Sequence, residues 1–266
     1  MSWQLIARSF AVLRQDRKLA LFPVLSALAG LALAALYFFS PIGDSLFRKS
    51  EPHTIGAAGY VSLLFGYFAF YFLMVFFNCA LAACAQARFA GAELSLADGM
   101  RRAASRIQPI LFWALLSGTL GILLQAIEHR VGFLGKIATR IFGFAWNMAT
   151  YLVVPVLVIE DRGAVDSIRR SSGLLRKTWG EQLTVGICMG WIVLFFAIPG
   201  IAIGAIGAYS YPLLLPVAVL YFLVLIAVMT AVSGIFEVAL YRYAVSGEVP
   251  DGYPPDMLNG AFVSRS

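Results

Sequence analysis

Hydrophobic and polar positions along this chain fall into long blocks rather than short periods. Six apolar runs, at 19–40, 59–87, 109–127, 141–159, 183–208 and 212–238, are separated by polar stretches. Each is long enough to cross a bilayer core of about 30 Å as a helix. Such spans are expected to be helical, because hydrocarbon offers no partner to a free backbone N–H or C=O. The second run is long enough to tilt or to project beyond the bilayer. Only Tyr209, Ser210 and Tyr211 separate the last two, which predicts a tight helical hairpin.

The polar stretches have a pattern of their own. "RSFAVLR" (8–14) and "RSSGLLR" (170–176) share Arg-Ser-x-x-apolar-Leu-Arg. Around the first, Trp3, Ile6, Phe10 and Leu13 fall at helical spacing on one face. Around the second, Ile168, Leu175 and Trp179 line one side. Arg169 and Arg176, like Arg170 and Lys177, are seven apart and share a stripe. A middle segment opens with "SLAD", a capping box in which Ser95 and Asp98 bond each other's backbone N–H. Met100, Ala103, Ala104 and Ile107 then oppose Arg101, Arg102 and Arg106. Three basic amphipathic helices are thus predicted, each just before an outward span, with apolar faces toward acyl chains and arginines toward lipid phosphate. The chain reads as three copies of one unit: basic helix, span out, span back. Pro23 and Pro109 sit at span starts, where a missing N–H costs little. The expected fold is an all-α polytopic membrane bundle: one six-span domain over 1–250 and a short tail over 251–266.

Charge gives the expected orientation. Of the 20 Lys and Arg residues, 15 fall on the side of both termini and 5 on the other. That bias places both termini in the cytoplasm. The chain is 61% hydrophobic and only 13% charged, with a mean hydropathy of +0.83. A soluble protein of 266 residues needs more charge than this to cover its surface. The net charge of +6 does not point to nucleic acid, because the basic residues flank apolar runs. Anionic lipid is the partner such charge fits; the sequence names no protein partner. The first run follows an amphipathic lead without a small-residue cleavage site, so it is expected to be retained. Cys79, Cys84 and Cys188 lie inside apolar runs without metal-ligand spacing and read as small buried hydrophobes.

Candidate chemistry is sparse. The two histidines, His53 and His129, fall in predicted external loops, and no nucleophile, metalloprotease or phosphate-loop motif occurs. Asp44, Glu51 and His53 make only a weak metal set. No catalytic residue, metal or cofactor is expected. Polar residues inside the spans are Asn78, Gln86, Gln125, Asn147 and Glu237. Intramembrane polar groups mark interhelical hydrogen bonds or a solute path; Asn78 and Asn147 read as helix locks, Glu237 as an interfacial ion pair. In the fifth run Gly186, Gly190 and Gly204 share a stripe expected to admit a close helix. Pro199 lacks the N–H for the Phe195 carbonyl and is expected to kink the span.

Several strings carry a resemblance: "LALFPVLS" (19–26), "FFNCAL" (76–81), "SLADGM" (95–100), "VVPVLVIED" (153–161), "LLRKTWGEQL" (174–183) and "LYRYAVSGEVPDGY" (240–253). With these the chain resembles a family of uncharacterised bacterial six-span membrane proteins. More loosely, the layout is similar to the membrane region attached to some glycerophosphodiester phosphodiesterases. The resemblance implies a six-span topology in the bacterial cytoplasmic membrane and supplies no catalytic residue. Two functions remain in play. One is a non-enzymatic protein engaging the inner leaflet or a partner through Arg8, Arg14, Arg101, Arg102, Arg106, Arg169, Arg170, Arg176 and Lys177. The other is a transporter or channel for a neutral or lipidic solute, which requires a polar cavity through Asn78 and Asn147. An intramembrane enzyme lacks its acid/base constellation.

Overall fold

Lipid-facing helices must satisfy their own backbone, and the chain does so. The computed structural model describes residues 2–40 and 57–247, without the side chains of 2–6, 8 and 176–189. Among the described residues are nine α-helices and one 3-10 turn. They are α1 (Ser2–Gln15), the turn Arg17–Ala20, α2 (Leu21–Phe38), α3 (Ala57–Phe89), α4 (Leu96–Ala104) and α5 (Ile107–Arg130). Then follow α6 (Phe133–Thr150), α7 (Val153–Ile159), α8 (Ala164–Tyr209) and α9 (Leu214–Ser246). Six segments are long and apolar enough to span a bilayer: Arg17–Phe38, Ala57–Phe89, Ile107–Arg130, Phe133–Ile159, Gly190–Tyr209 and Leu214–Ser246. The first three coincide with the expected runs to within three residues; the fourth begins eight residues early because only Val131 and Gly132 separate it from α5, the fifth begins at Gly190 rather than at 183, and the sixth ends at Ser246, eight residues beyond 238. His129 therefore lies in the last turn of α5, not in a loop.

Proline placement follows hydrogen-bond supply. Pro23, Pro109, Pro155 and Pro216 each occupy the third residue of a helix, where no intrahelical acceptor is available. Pro155 stands inside the fourth run, so it splits that span into α6 and α7. The break leaves the Leu152 N–H buried, and Ser171 Oγ accepts it at 3.1 Å. Pro199 behaves differently: α8 runs unbroken through it for 46 residues. The neighbouring Phe196 carbonyl takes a hydrogen bond from the Tyr221 hydroxyl of α9.

Helix α3 is the hub of the packing and touches α2, α4, α5, α7 and α9. Its second half explains why. From Cys79 to Ala85 every residue is small apart from Leu81, and all are buried. Small side chains let backbones approach closely, which is how apolar helices gain contact in lipid. On the facing elements Phe22, Ile110, Leu157 and Ile235 are fully buried. Farther along the spans the pattern inverts: Phe65, Phe195 and Leu220 are exposed, as a lipid-facing surface requires.

Contacts define two ends. Phe22 at the start of α2 lies beside Gly99 of α4 and Cys84 of α3. Arg106 before α5 meets Asp161 after α7, and Glu160 meets Tyr241 of α9. These place the starts of α2, α5 and α8 with the ends of α3, α7 and α9, here termed the basic end. At the far end Tyr37 bonds Ser62, and Glu128 pairs with Arg140.

The three basic helices all pack on the bundle, each to a different extent. Helix α1 packs on α8 and α9, burying Ser9, Val12 and Leu13. Helix α4 sits on α3 through Gly99 and Ala103, while Met100, Ala104 and Ile107 are exposed. The third basic segment is the first part of α8 itself and buries Ser167, Ser171, Leu174 and Leu175. Helix α1 and the first part of α8 thus turn apolar residues into the bundle, while α4 keeps Met100 and Ala104 on its outer side.

Candidate functional site

The most highly connected polar cluster begins with an adjacent acid pair. Glu160 ends α7 and Asp161 follows it with φ of +53°, a left-handed conformation that Asp tolerates through its short polar side chain. The turn aims the two carboxylates apart. Glu160 accepts from Arg170 Nε at 2.9 Å, Arg162 Nε at 2.5 Å and the Tyr241 hydroxyl at 3.0 Å. Asp161 lies 3.5 Å from Arg106 Nε and 3.7 Å from Arg102 Nη2. Arg106 also donates to the Arg162 carbonyl at 2.8 Å. Burial pushes the Glu160 carboxyl up, but the hydrogen bonds from Arg170, Arg162 and Tyr241 outweigh it and hold the group below the usual glutamate range. The cluster ties α4, α5, α7, α8 and α9 together at the basic end.

Sequence reasoning missed this clasp, although a signal existed. Glu160 and Asp161 are the chain's one adjacent acid pair, placed where an orientation bias collects arginines. Three of the predicted lipid-facing residues are taken up by it: Arg102, Arg106 and Arg170. Arg101 pairs with Asp98 at 3.3 Å in full view of solvent, and exposed pairs of that kind hold weakly. Arg14 and Arg169 are exposed and form no ion pair among the described residues. The side chains of Arg8, Arg176 and Lys177, and Gly186, lie outside the described side chains, as do Asp44, Glu51 and His53. Among the described residues no three His, Cys, Asp or Glu side chains gather as a metal set.

The capping box at Ser95 forms in both directions, with Asp98 N–H to Ser95 Oγ at 3.2 Å and Ser95 N–H to Asp98 Oδ2 at 3.3 Å. Those hydrogen bonds to Ser95 hold the Asp98 carboxyl below its ordinary range.

The intramembrane polar residues do not converge. Asn78 lines a side groove between α2, α3 and α9 with Ser26 and Thr230. Asn147 is exposed on the outside of α6, so it locks no helix within the described chain. Glu237 forms no ion pair among the described residues and lies within electrostatic reach of Cys79 and Tyr151. Gln86 Oε1 is buried without a hydrogen-bond partner among the described residues. It faces a small cavity of about 270 Å³ that Asp98 and Arg102 also line.

Of the expected glycine stripe, Gly204 faces Ala218 of α9 and Gly190 is exposed. Gly190 faces open space. The glycines of α8 that face α9 are Gly200, Gly204 and Gly207, and a Cβ on Gly200 would stand 2.6 Å from the Tyr221 ring. Proximity to the short turn at 210–213 decides this: the hairpin helices are closest near it.

Six apolar spans, a lipid-type exterior and a polar clasp at one end define a multi-pass helical membrane protein. The chain belongs to a family of unknown function, DUF6159, whose match covers residues 57–251. No curated protein and no solved structure matches the chain. The looser likeness to membrane regions of glycerophosphodiester phosphodiesterases finds no support in these comparisons.

Proposed function

We propose that this is a non-enzymatic protein of the bacterial cytoplasmic membrane, with both termini in the cytoplasm, that engages the anionic inner leaflet through its basic end. One observation carries the reading: the clasp consumes Arg102, Arg106 and Arg170, while Arg14 and Arg169 on the same end are exposed and have no acidic partner among the described residues. Arg101 adds a third cation in a weak exposed pair. The excess of basic residues on that side supports the orientation. Each arginine near an anionic surface contributes roughly 1 kcal/mol, enough to tune lipid preference but small beside six spans. Among the described residues Asn78 lines a side groove and Asn147 is exposed on α6, which favours this reading over passage of a neutral or lipidic solute. The test is reconstitution into vesicles mixing phosphatidylglycerol and phosphatidylethanolamine, followed by lipid analysis of the protein-bound shell. Wild type should enrich phosphatidylglycerol, and Arg101→Gln/Arg169→Gln should weaken the enrichment. Equal enrichment in both would overturn the reading.

A further inference from the structure

The basic end carries a cavity with unusual company. It is about 580 Å³, lies between α1, the 3-10 turn and α9, and presents Arg14 and Arg17 above an apolar floor that includes Phe10 and Val228. Both arginines are exposed, and neither forms an ion pair among the described residues. The nearest carboxylate in sequence, Asp16, is occupied in capping the turn, where it accepts from the Lys18 N–H at 3.2 Å. The local charge stays net positive among the described residues, with Arg14, Arg17 and Lys18 against the single carboxylate of Asp16.

Two apolar grooves lead away from this cavity along α9. One, of about 220 Å³, runs between α9 and α8 and shares Phe10 and Val228 with the arginine cavity. The other, of about 390 Å³, runs between α9 and α2 and begins at Pro23, one turn beyond Ala20 of the arginine cavity. The grooves meet at Val224, which lines both and stands 55% exposed as the ridge between them. Ser26, Asn78 and Thr230 put polar groups in the second groove, in an otherwise apolar wall.

We propose that this is a seat for one diacyl glycerophospholipid with an anionic headgroup, straddling α9. The phosphate meets Arg14 and Arg17, with guanidinium groups suited to paired hydrogen bonds to phosphate oxygens. One acyl chain follows each groove, and Ser26, Asn78 and Thr230 supply polar partners for an ester on the α2 side. Charge complementarity selects the headgroup. The bilayer around the spans makes a lipid the occupant, since both grooves open onto hydrocarbon rather than water.

This rests on the reading of a lipid-engaging basic end, and its test is separable from that one. Purified, delipidated protein would be titrated with dioleoyl phosphatidylglycerol and read by native mass spectrometry. One lipid should bind more tightly than the rest. Arg14→Gln/Arg17→Gln should weaken that first binding at least tenfold, and Arg101→Gln/Arg169→Gln should leave it unchanged. Val224→Trp, at an exposed site, should weaken it while leaving thermal unfolding intact. Lysophosphatidylglycerol should bind at least tenfold more weakly, and glycerol phosphate should not compete. Unchanged binding in the Arg14/Arg17 variant overturns the seat whatever happens in the shell experiment. Equal binding of the single-chain lipid, or competition by glycerol phosphate, overturns the two-groove geometry. A specific first lipid without phosphatidylglycerol enrichment in the shell would leave the seat standing and remove the wider engagement of the leaflet by the basic end.

Discussion

Ser171 Oγ accepts the hydrogen bond of the Leu152 N–H at 3.1 Å, and both residues are fully buried. A side chain of α8 thus supplies the acceptor for a backbone donor at the break between α6 and α7. An unpaired buried N–H costs about 1–3 kcal/mol. Ser171→Ala should therefore destabilise the bundle by that amount, measured as a lowered Tm in detergent. Ser172→Ala removes only a bond to the Arg169 carbonyl of its own helix and should change Tm little.

Glu160→Gln removes the charge that Arg170 and Arg162 share. It should destabilise far more than Glu93→Gln, whose pair with Arg88 is exposed. The pH dependence has a definite sign. The Glu160 carboxyl is held below its unfolded value, so its contribution is present above that value and is lost as pH falls through the depressed one. Wild type should lose Tm on acidification below pH about 4, the ordinary glutamate range. Glu160→Gln should show a shallower acid slope; identical slopes would remove Glu160 from the account.

Gly200→Leu should destabilise the hairpin of α8 and α9 by about 1–3 kcal/mol, the usual cost of overpacking, because its Cβ would sit 2.6 Å from Tyr221. Gly190→Leu adds atoms to open space and should be near neutral. Paired thermal melts decide between this pattern and its reverse.

Topology is checked with single cysteines at Ser105 and Ser210, both exposed at opposite ends of the spans. A membrane-impermeant maleimide added outside intact cells should label Ser210→Cys and spare Ser105→Cys. The opposite result would invert the proposed orientation while leaving the two ends of the fold as they are.

The spans, their shared end and the cap at Ser95 were legible because each is a local property of length, charge or four-residue spacing. What escaped was the choice of face. A span apolar all round has no preferred side, so periodicity cannot say that Asn147 points outward or that Gly190 meets nothing. Helix α4 has a clear polar side, yet of its expected apolar face it buries Ala103, joined by Gly99, and leaves Met100 and Ala104 exposed. The reason lies in its partner: Cys84 and Phe22 come so close that a Cβ on Gly99 would stand 2.5 Å from the Cys84 sulfur. The acid clasp was hidden by distance, since Glu160 and Tyr241 are 81 residues apart.

Helix α8 joins what the sequence divides into a surface segment and a span. Its 46 residues make a rod of about 69 Å, at 1.5 Å per residue. A bilayer with its headgroups is only about 40–45 Å thick. One end of the rod is gripped by Glu160 through Arg170, and the other is seated against α9 at Gly207. Between the two no loop absorbs a tilt. One unbroken helix longer than the bilayer therefore reaches from the polar clasp to the hairpin turn, so the two ends of the molecule are held at a fixed spacing by a single element.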